Sequence, residues 1–138
     1  MRKLVALGFV VGGLLSATVS VRAHHAFSAE FDSKKPVKLR GAVAKVELIN
    51  PHSWIHIDVK NNDGTNSRWR VEAGTPNTLL RRGFTKHSLP AGTEIVVDGY
   101  QAKDGSNTAN GRDITFPDGR KFFVGSSAGP DAPPPDAK

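Results

Sequence analysis

Cysteine is absent from all 138 residues. That excludes disulfide cross-links and thiolate metal sites, so any bound metal must be held by histidine, carboxylate or backbone groups. Also missing are the short motifs that announce common chemistries. There is no Gly-x-Ser-x-Gly elbow, no phosphate loop and no His-Glu-x-x-His helix, and nothing in the sequence argues positively for an enzyme. No apolar run reaches the roughly 20 residues a membrane-spanning helix needs. The longest, from Leu4 to about Val19, is interrupted by Gly8, Gly12 and Gly13. Basic charge is present but unclustered: 19 Lys and Arg stand among 13 acids along the whole chain. A nucleic-acid binder needs a basic face or stripe, so no nucleic-acid partner is expected.

What is present begins with Met1-Arg2-Lys3, then the apolar run, then Val21-Arg22-Ala23. A basic start, an apolar centre and a small residue at the end compose a secretory signal peptide over residues 1–23. The expectation is a periplasmic or secreted protein with no stable membrane insertion after cleavage. Without a cysteine after the run, thioether lipid anchoring there is excluded. Cleavage removes Arg2, Lys3 and Arg22 and no acid, so the formal charge falls from +6 to +3.

The mature chain reads as an N-terminal arm over residues 24–36, a β domain over 37–124 and a disordered, proline-rich tail over 125–138. In the arm, Phe27 and Phe31 stand four apart, which suits a helical turn burying both; an extended arm laid across the domain fits equally. Residues 37–49 alternate as a strand, but the alternation slips near Ala44-Lys45, the signature of a bulge or bend. Asn50-Pro51 breaks that strand. From Trp54 to Lys60 the alternation is clean, with Ile55, Ile57 and Val59 on the core face. Asn61-Asn62-Asp63-Gly64 is hairpin chemistry, and residues 67–72 form the partner strand. Thr75-Pro76 opens a short helix and Gly83 closes it, with Leu79, Leu80 and Phe84 sealing it to the core. A strand over 94–102 follows, then a polar loop over 103–111. Two short strands near 114–116 and 121–124 flank the Pro117-Asp118-Gly119 turn.

That order gives a mainly β fold. With the last pair counted as one hairpin element, five strands with one short helix after the third give the order of an OB-fold-like barrel. A sandwich of similar strands is the alternative, but it would not require the helix.

Several short motifs together resemble a known family: His24-His25-x-Phe27, Leu39-x-Gly41-x-Val43, Asn50-Pro51-His52, Trp69-x-Val71-Glu72, Leu80-x-Arg82-Gly83 and Lys103-Asp104-Gly105. They resemble the small exported bacterial proteins catalogued as domain of unknown function 6152, over residues 24–124. The resemblance implies export and a small β-barrel, and it carries no activity.

The candidate chemistry lies in the histidines. Cleavage after Ala23 would make His24 the first residue, offering an α-amine and an imidazole to one ion, with His25 adding a second imidazole. Nitrogen ligands of this kind favour copper(II) among first-row divalent ions, and zinc is the other expected ion. A third histidine should complete the chelate. His52 and His56 cannot serve together: on one continuous strand they would lie about 13 Å apart. His52, in the loop before the second strand, is the better ligand, and His56 is the second choice. His87 reads as an exposed loop residue. Against this, terminal histidines are often only tail, and His52 after Asn-Pro can simply cap a turn. Arg68, Arg70, Arg81 and Arg82 read as solvated charges. Asp58 and Glu72 read as partners of Lys or Arg rather than of each other.

Two functions remain. One is a small exported binding or accessory protein with a metal site at His24, His25 and His52. The other is a metal-free OB module that binds a peptide, sugar or partner protein through its barrel face, using Trp54 and the loop after Lys103. An oxidative copper enzyme ranks third, because no substrate groove is legible.

Overall fold

The computed structural model describes residues 27–126. Expectations for the signal peptide, for His24 and His25, and for all but the first two residues of the tail fall outside the described residues. Residues 27–30 make a helical turn, the first of the two arrangements open to Phe27 and Phe31, whose rings lie 5.8 Å apart. The strands are β1 (Phe31–Glu47), β2 (Trp54–Lys60), β3 (Asn66–Glu72), β4 (Glu94–Ala102), β5 (Thr108–Thr115) and β6 (Lys121–Phe123), with the helix α1 (Pro76–Arg81) after β3. The fold is mainly β.

Local chemistry sets most of these elements. The slip expected near Ala44 is present as a register shift in the β1–β2 ladder between Val43 and Lys45. The Asp63-Gly64 turn closes the β2–β3 hairpin with Gly64 at φ 87°, and Asn61 N–H donates to the Thr65 carbonyl at 2.8 Å. Thr75 caps α1 by accepting a hydrogen bond from the Thr78 N–H, Pro76 occupies the first turn, and Gly83 follows at φ 86°. These are the positions where a hydroxyl satisfies an orphan amide, where a missing N–H costs nothing, and where only glycine is unstrained.

The strands pair in the order β3-β2-β1-β4-β5-β6, and β5 also pairs with β3. The sheet therefore returns on itself. The closing ladder is parallel, through Arg70↔Thr108, Val71↔Ala109 and Glu72↔Asn110, while the other pairings are antiparallel. Inside lie Leu39, Val43, Ile55, Ile57, Val71, Ile95, Val97 and Ile114, with Leu79 and Phe84 of the α1 region and Val124 closing over them. Each large aliphatic chain removed from water contributes about 1.5–3 kcal/mol. The curvature requires close backbone approaches: a Cβ on Gly41 would stand 2.5 Å from the Asp58 carbonyl oxygen, and one on Gly99 would stand 2.2 Å from that of Asn110.

Several elements differ from the expectation. There are six strands rather than five among the described residues. Strand β1 begins at Phe31, six residues early, because Phe31 pairs with Ala102 and Pro36 with Tyr100 across an irregularity. The polar loop expected over 103–111 ends sooner: Thr108 to Gly111 are strand, since Ala109, Asn110 and Gly111 are buried between β4 and β3. Leu80 is 49% exposed while Leu79 is fully buried, because a six-residue helix offers the core only one narrow face. Arg82 is not a solvated charge. Its Nη1 donates to the Gly125 carbonyl at 2.7 Å, and its guanidinium lies 4.8 Å from the Phe123 ring centroid, tying the end of α1 to the chain after β6.

Candidate functional site

A pocket of about 330 Å³ opens where the chain leaves β1 and enters β2. Its walls come from sequence-distant pieces: Phe27 and Glu30 of the helical turn, Ile49 and Pro51 of the β1–β2 connection, and Trp54 at the start of β2. His52, Glu72 and Asn110 also face it. The Asn50–Pro51 peptide bond is cis. Phe27 is seated by an edge-on contact with Tyr100, 5.7 Å between centroids. Lys103 secures the turn beside it, its amide donating to the Glu30 carbonyl at 2.9 Å and its ammonium to the Ser28 carbonyl.

The position of His52 follows from backbone bonds on its C-terminal side. Ser53 N–H donates to the Gly74 carbonyl at 3.0 Å, and Ala73 N–H donates to the Ser53 carbonyl at 2.8 Å. These extend the β2–β3 ladder beyond its last paired residues, Trp54 and Glu72, and bring His52 to Glu72. His52 Nδ1 lies 3.4 Å from Glu72 Oε1. This is ion-pair range but not a hydrogen bond: Nδ1 is buried and has no hydrogen-bond partner among the described residues. Glu72 is only 8% exposed, and Asn110 Nδ2 donates to the same Oε1 at 3.4 Å. Burial raises the Glu72 carboxyl above its ordinary value. The charge of His52 opposes that shift, Glu30 adds to it, and Asn110 opposes it. A carboxylate here is thus short of compensating positive charge. No Lys or Arg lines the pocket, although two glutamates do.

His56 goes elsewhere. It is buried, and its Nε2 lies 2.7 Å from Glu47 Oε2. Lys45 donates to the other Glu47 oxygen at 2.9 Å, and these two hydrogen bonds hold the Glu47 carboxyl below its ordinary value, Lys45 first. The structure therefore places His52 in the pocket and His56 in a separate pair. Asp58 pairs with Arg68 through both carboxylate oxygens. Trp54 receives Arg70 over its ring at 4.4 Å. His87 lies exposed in its loop. Among the described residues, no group of three or more His, Asp or Glu side chains is placed to hold a metal ion.

Glu72 and Asn110 are the residues the sequence reasoning missed. A signal for Glu72 existed: counting outward from the 61–65 turn sets it opposite Trp54, two residues from His52. Asn110 gave none, because only the parallel β3–β5 contact brings it there.

The model of a family described as a family of unknown function (DUF6152) matches residues 11–111. No curated protein and no solved structure matches the chain. The matched interval holds His24 and His25 together with His52, Glu72 and Asn110, and spans well over half of the 138 residues. The chain belongs to the family of unknown function DUF6152.

Proposed function

We propose that this chain is a small exported binding protein, an OB-fold-like barrel whose pocket takes a transition metal, copper or zinc. In this reading residues 1–23 are removed as a signal peptide, and His24, His25 and His52 are ligands. The observation that carries it is the pair of half-buried His52 and buried Glu72 at the pocket, where a buried ring nitrogen and a carboxylate oxygen approach without bonding. His24 and His25 stand three and two positions before Phe27 in the sequence, and Phe27 lines the pocket. The barrel assignment is supported by the parallel β3–β5 ladder, which returns the sheet on itself, and by the single capped helix after β3. A metal-free module that captures a peptide or partner protein is the second reading. The stacked Trp54–Arg70 pair and the half-exposed Ile49 at the pocket rim favour it.

The test uses the protein exported from cells and processed there. Its N-terminal residue is determined, and copper and zinc are titrated against wild type, His24→Ala, His52→Ala and His87→Ala. His24 at the terminus, with binding lost in the first two variants and kept in the third, supports the metal reading. Binding that survives both losses, or a terminus other than His24, overturns this ligand set.

A further inference from the structure

The walls of the pocket at His52 are graded in chemistry. Phe31, Glu72 and Asn110 are buried, Phe27, His52 and Trp54 are half-buried, and Glu30, Ile49 and Pro51 stand exposed at its mouth. From this arrangement we infer that the pocket receives an organic cation, an ammonium or guanidinium head on an apolar stem, with Glu72 as its counter-charge. The inference rests on the second, metal-free reading above and names the charge that the occupant carries.

The sign of that charge follows from what the walls hold. Glu30 and Glu72 face the cavity, and no Lys or Arg lines it. Two cations of adjoining elements are engaged elsewhere: Arg70 lies on the Trp54 ring, and the Lys103 ammonium donates to the Ser28 carbonyl. An anionic ligand would therefore meet two carboxylates and no counter-charge.

The protein itself supplies Glu72 with little. Only 8% of this residue is exposed. Its Oε1 receives an amide N–H from Asn110 at 3.4 Å, the long limit of a hydrogen bond. The same oxygen lies 3.4 Å from a buried His52 Nδ1 that does not bond to it. A carboxylate has room for about four donors, and leaving a buried one short of them is costly. An ammonium brings three N–H donors and a guanidinium five, neither with an acceptor, and their bonds to a carboxylate are charge-assisted. With its proton on Nε2, His52 presents Nδ1 as a further acceptor. The remaining walls suit the stem: Phe27, Phe31, Ile49, Pro51 and Trp54 are apolar or aromatic, and aromatic faces attract cations as well. At about 330 Å³ the cavity stands at the small end of ligand sites, the scale of one amine or one side chain.

The protein, kept metal-free with a chelator, is titrated calorimetrically with hexylammonium, hexanol, and capped tripeptides Gly-Lys-Gly and Gly-Leu-Gly. Hexylammonium should bind at least about 10-fold more tightly than hexanol, and its affinity should fall about 10–100-fold in Glu72→Gln. Glu30→Gln, at the exposed mouth, should cost less than about fivefold, and His87→Ala nothing. A lysine peptide that binds more tightly than hexylammonium identifies a partner's side chain as the source; one that binds less tightly identifies a free amine. Hexanol that binds as tightly as hexylammonium, or a leucine peptide that matches the lysine peptide, overturns the cation and leaves peptide capture standing. Binding of none of the four overturns both. Should Glu72→Gln fail to fold, amide chemical shifts of the wild type decide. Changes on adding hexylammonium that centre on Phe27, Trp54 and Glu72 support the site, and changes elsewhere overturn it.

Discussion

Replacing Gly99 with alanine adds one methyl group where two strands nearly touch. Gly99 is buried opposite Gly111, beside an irregularity in the β4–β5 ladder between Asp98 and Gly99. Its φ is not positive, so alanine can adopt the backbone and the cost is purely steric. The new Cβ would lie 2.2 Å from the Asn110 carbonyl oxygen and 3.1 Å from its carbonyl carbon. Cβ atoms essentially never approach closer than 3.0 Å, so the strands must separate by about 0.8 Å. Both partners are backbone, and no rotamer can relieve the contact. Overpacking of this kind costs about 1–3 kcal/mol, and each ladder hydrogen bond stretched out of range adds about 0.5–1.5 kcal/mol. The expected loss is about 2–4 kcal/mol, and the melting temperature should drop by more than about 8 °C. Moving Asn110 also displaces its amide from Glu72, so the substitution should loosen the pocket. Urea denaturation of the metal-free protein, followed by far-ultraviolet circular dichroism, measures the first effect. A variant within about 0.5 kcal/mol of wild type, the ordinary scatter of neutral changes, would refute the close-approach argument.

Two further expectations follow from the same geometry. Leu79→Ala should cost about 2–5 kcal/mol, since that side chain is fully buried, whereas Leu80→Ala should fall within about 0.5 kcal/mol of wild type; equal losses in denaturant melts would contradict the placement of α1. Glu72 holds its proton more tightly in the folded chain than its ordinary value of 4.5 allows in the unfolded one. Folding is therefore favoured below 4.5, and that contribution is lost as pH rises through the higher folded value. Metal-free wild type should accordingly lose stability relative to Glu72→Gln as pH rises from 4.5 through the raised folded value; a relative gain over that rise would contradict a desolvated carboxyl.

Much of the fold was legible because its signals are local. The hairpin at Asp63-Gly64, the cap at Thr75-Pro76, the stop at Gly83 and the slip between Val43 and Lys45 each follow from the backbone preferences of one to three residues. Alternation likewise placed Ile55 and Ile57 inside, because side chains on a strand repeat every second residue whatever surrounds them. Where burial depends on a partner, the sequence is silent. Thr108 to Gly111 are polar and glycine-rich, and they read as loop until β3 and β4 are seen to flank them. Leu79 and Leu80 are chemically identical neighbours that only the docking angle of α1 tells apart.

The candidate site divides along the same line. Residue type alone identified His52 as a potential ligand and separated it from His56, since extended backbone cannot bring positions four apart onto one ion. Tertiary structure then decided what each imidazole meets: Glu47 for His56, Glu72 for His52. Glu72 reads in sequence as an ordinary strand-end carboxylate awaiting a cation. It is distinctive only because the β2–β3 ladder carries it to His52, the parallel return of β5 brings Asn110 to its oxygen, and the surrounding walls remove the water that would otherwise solvate its charge.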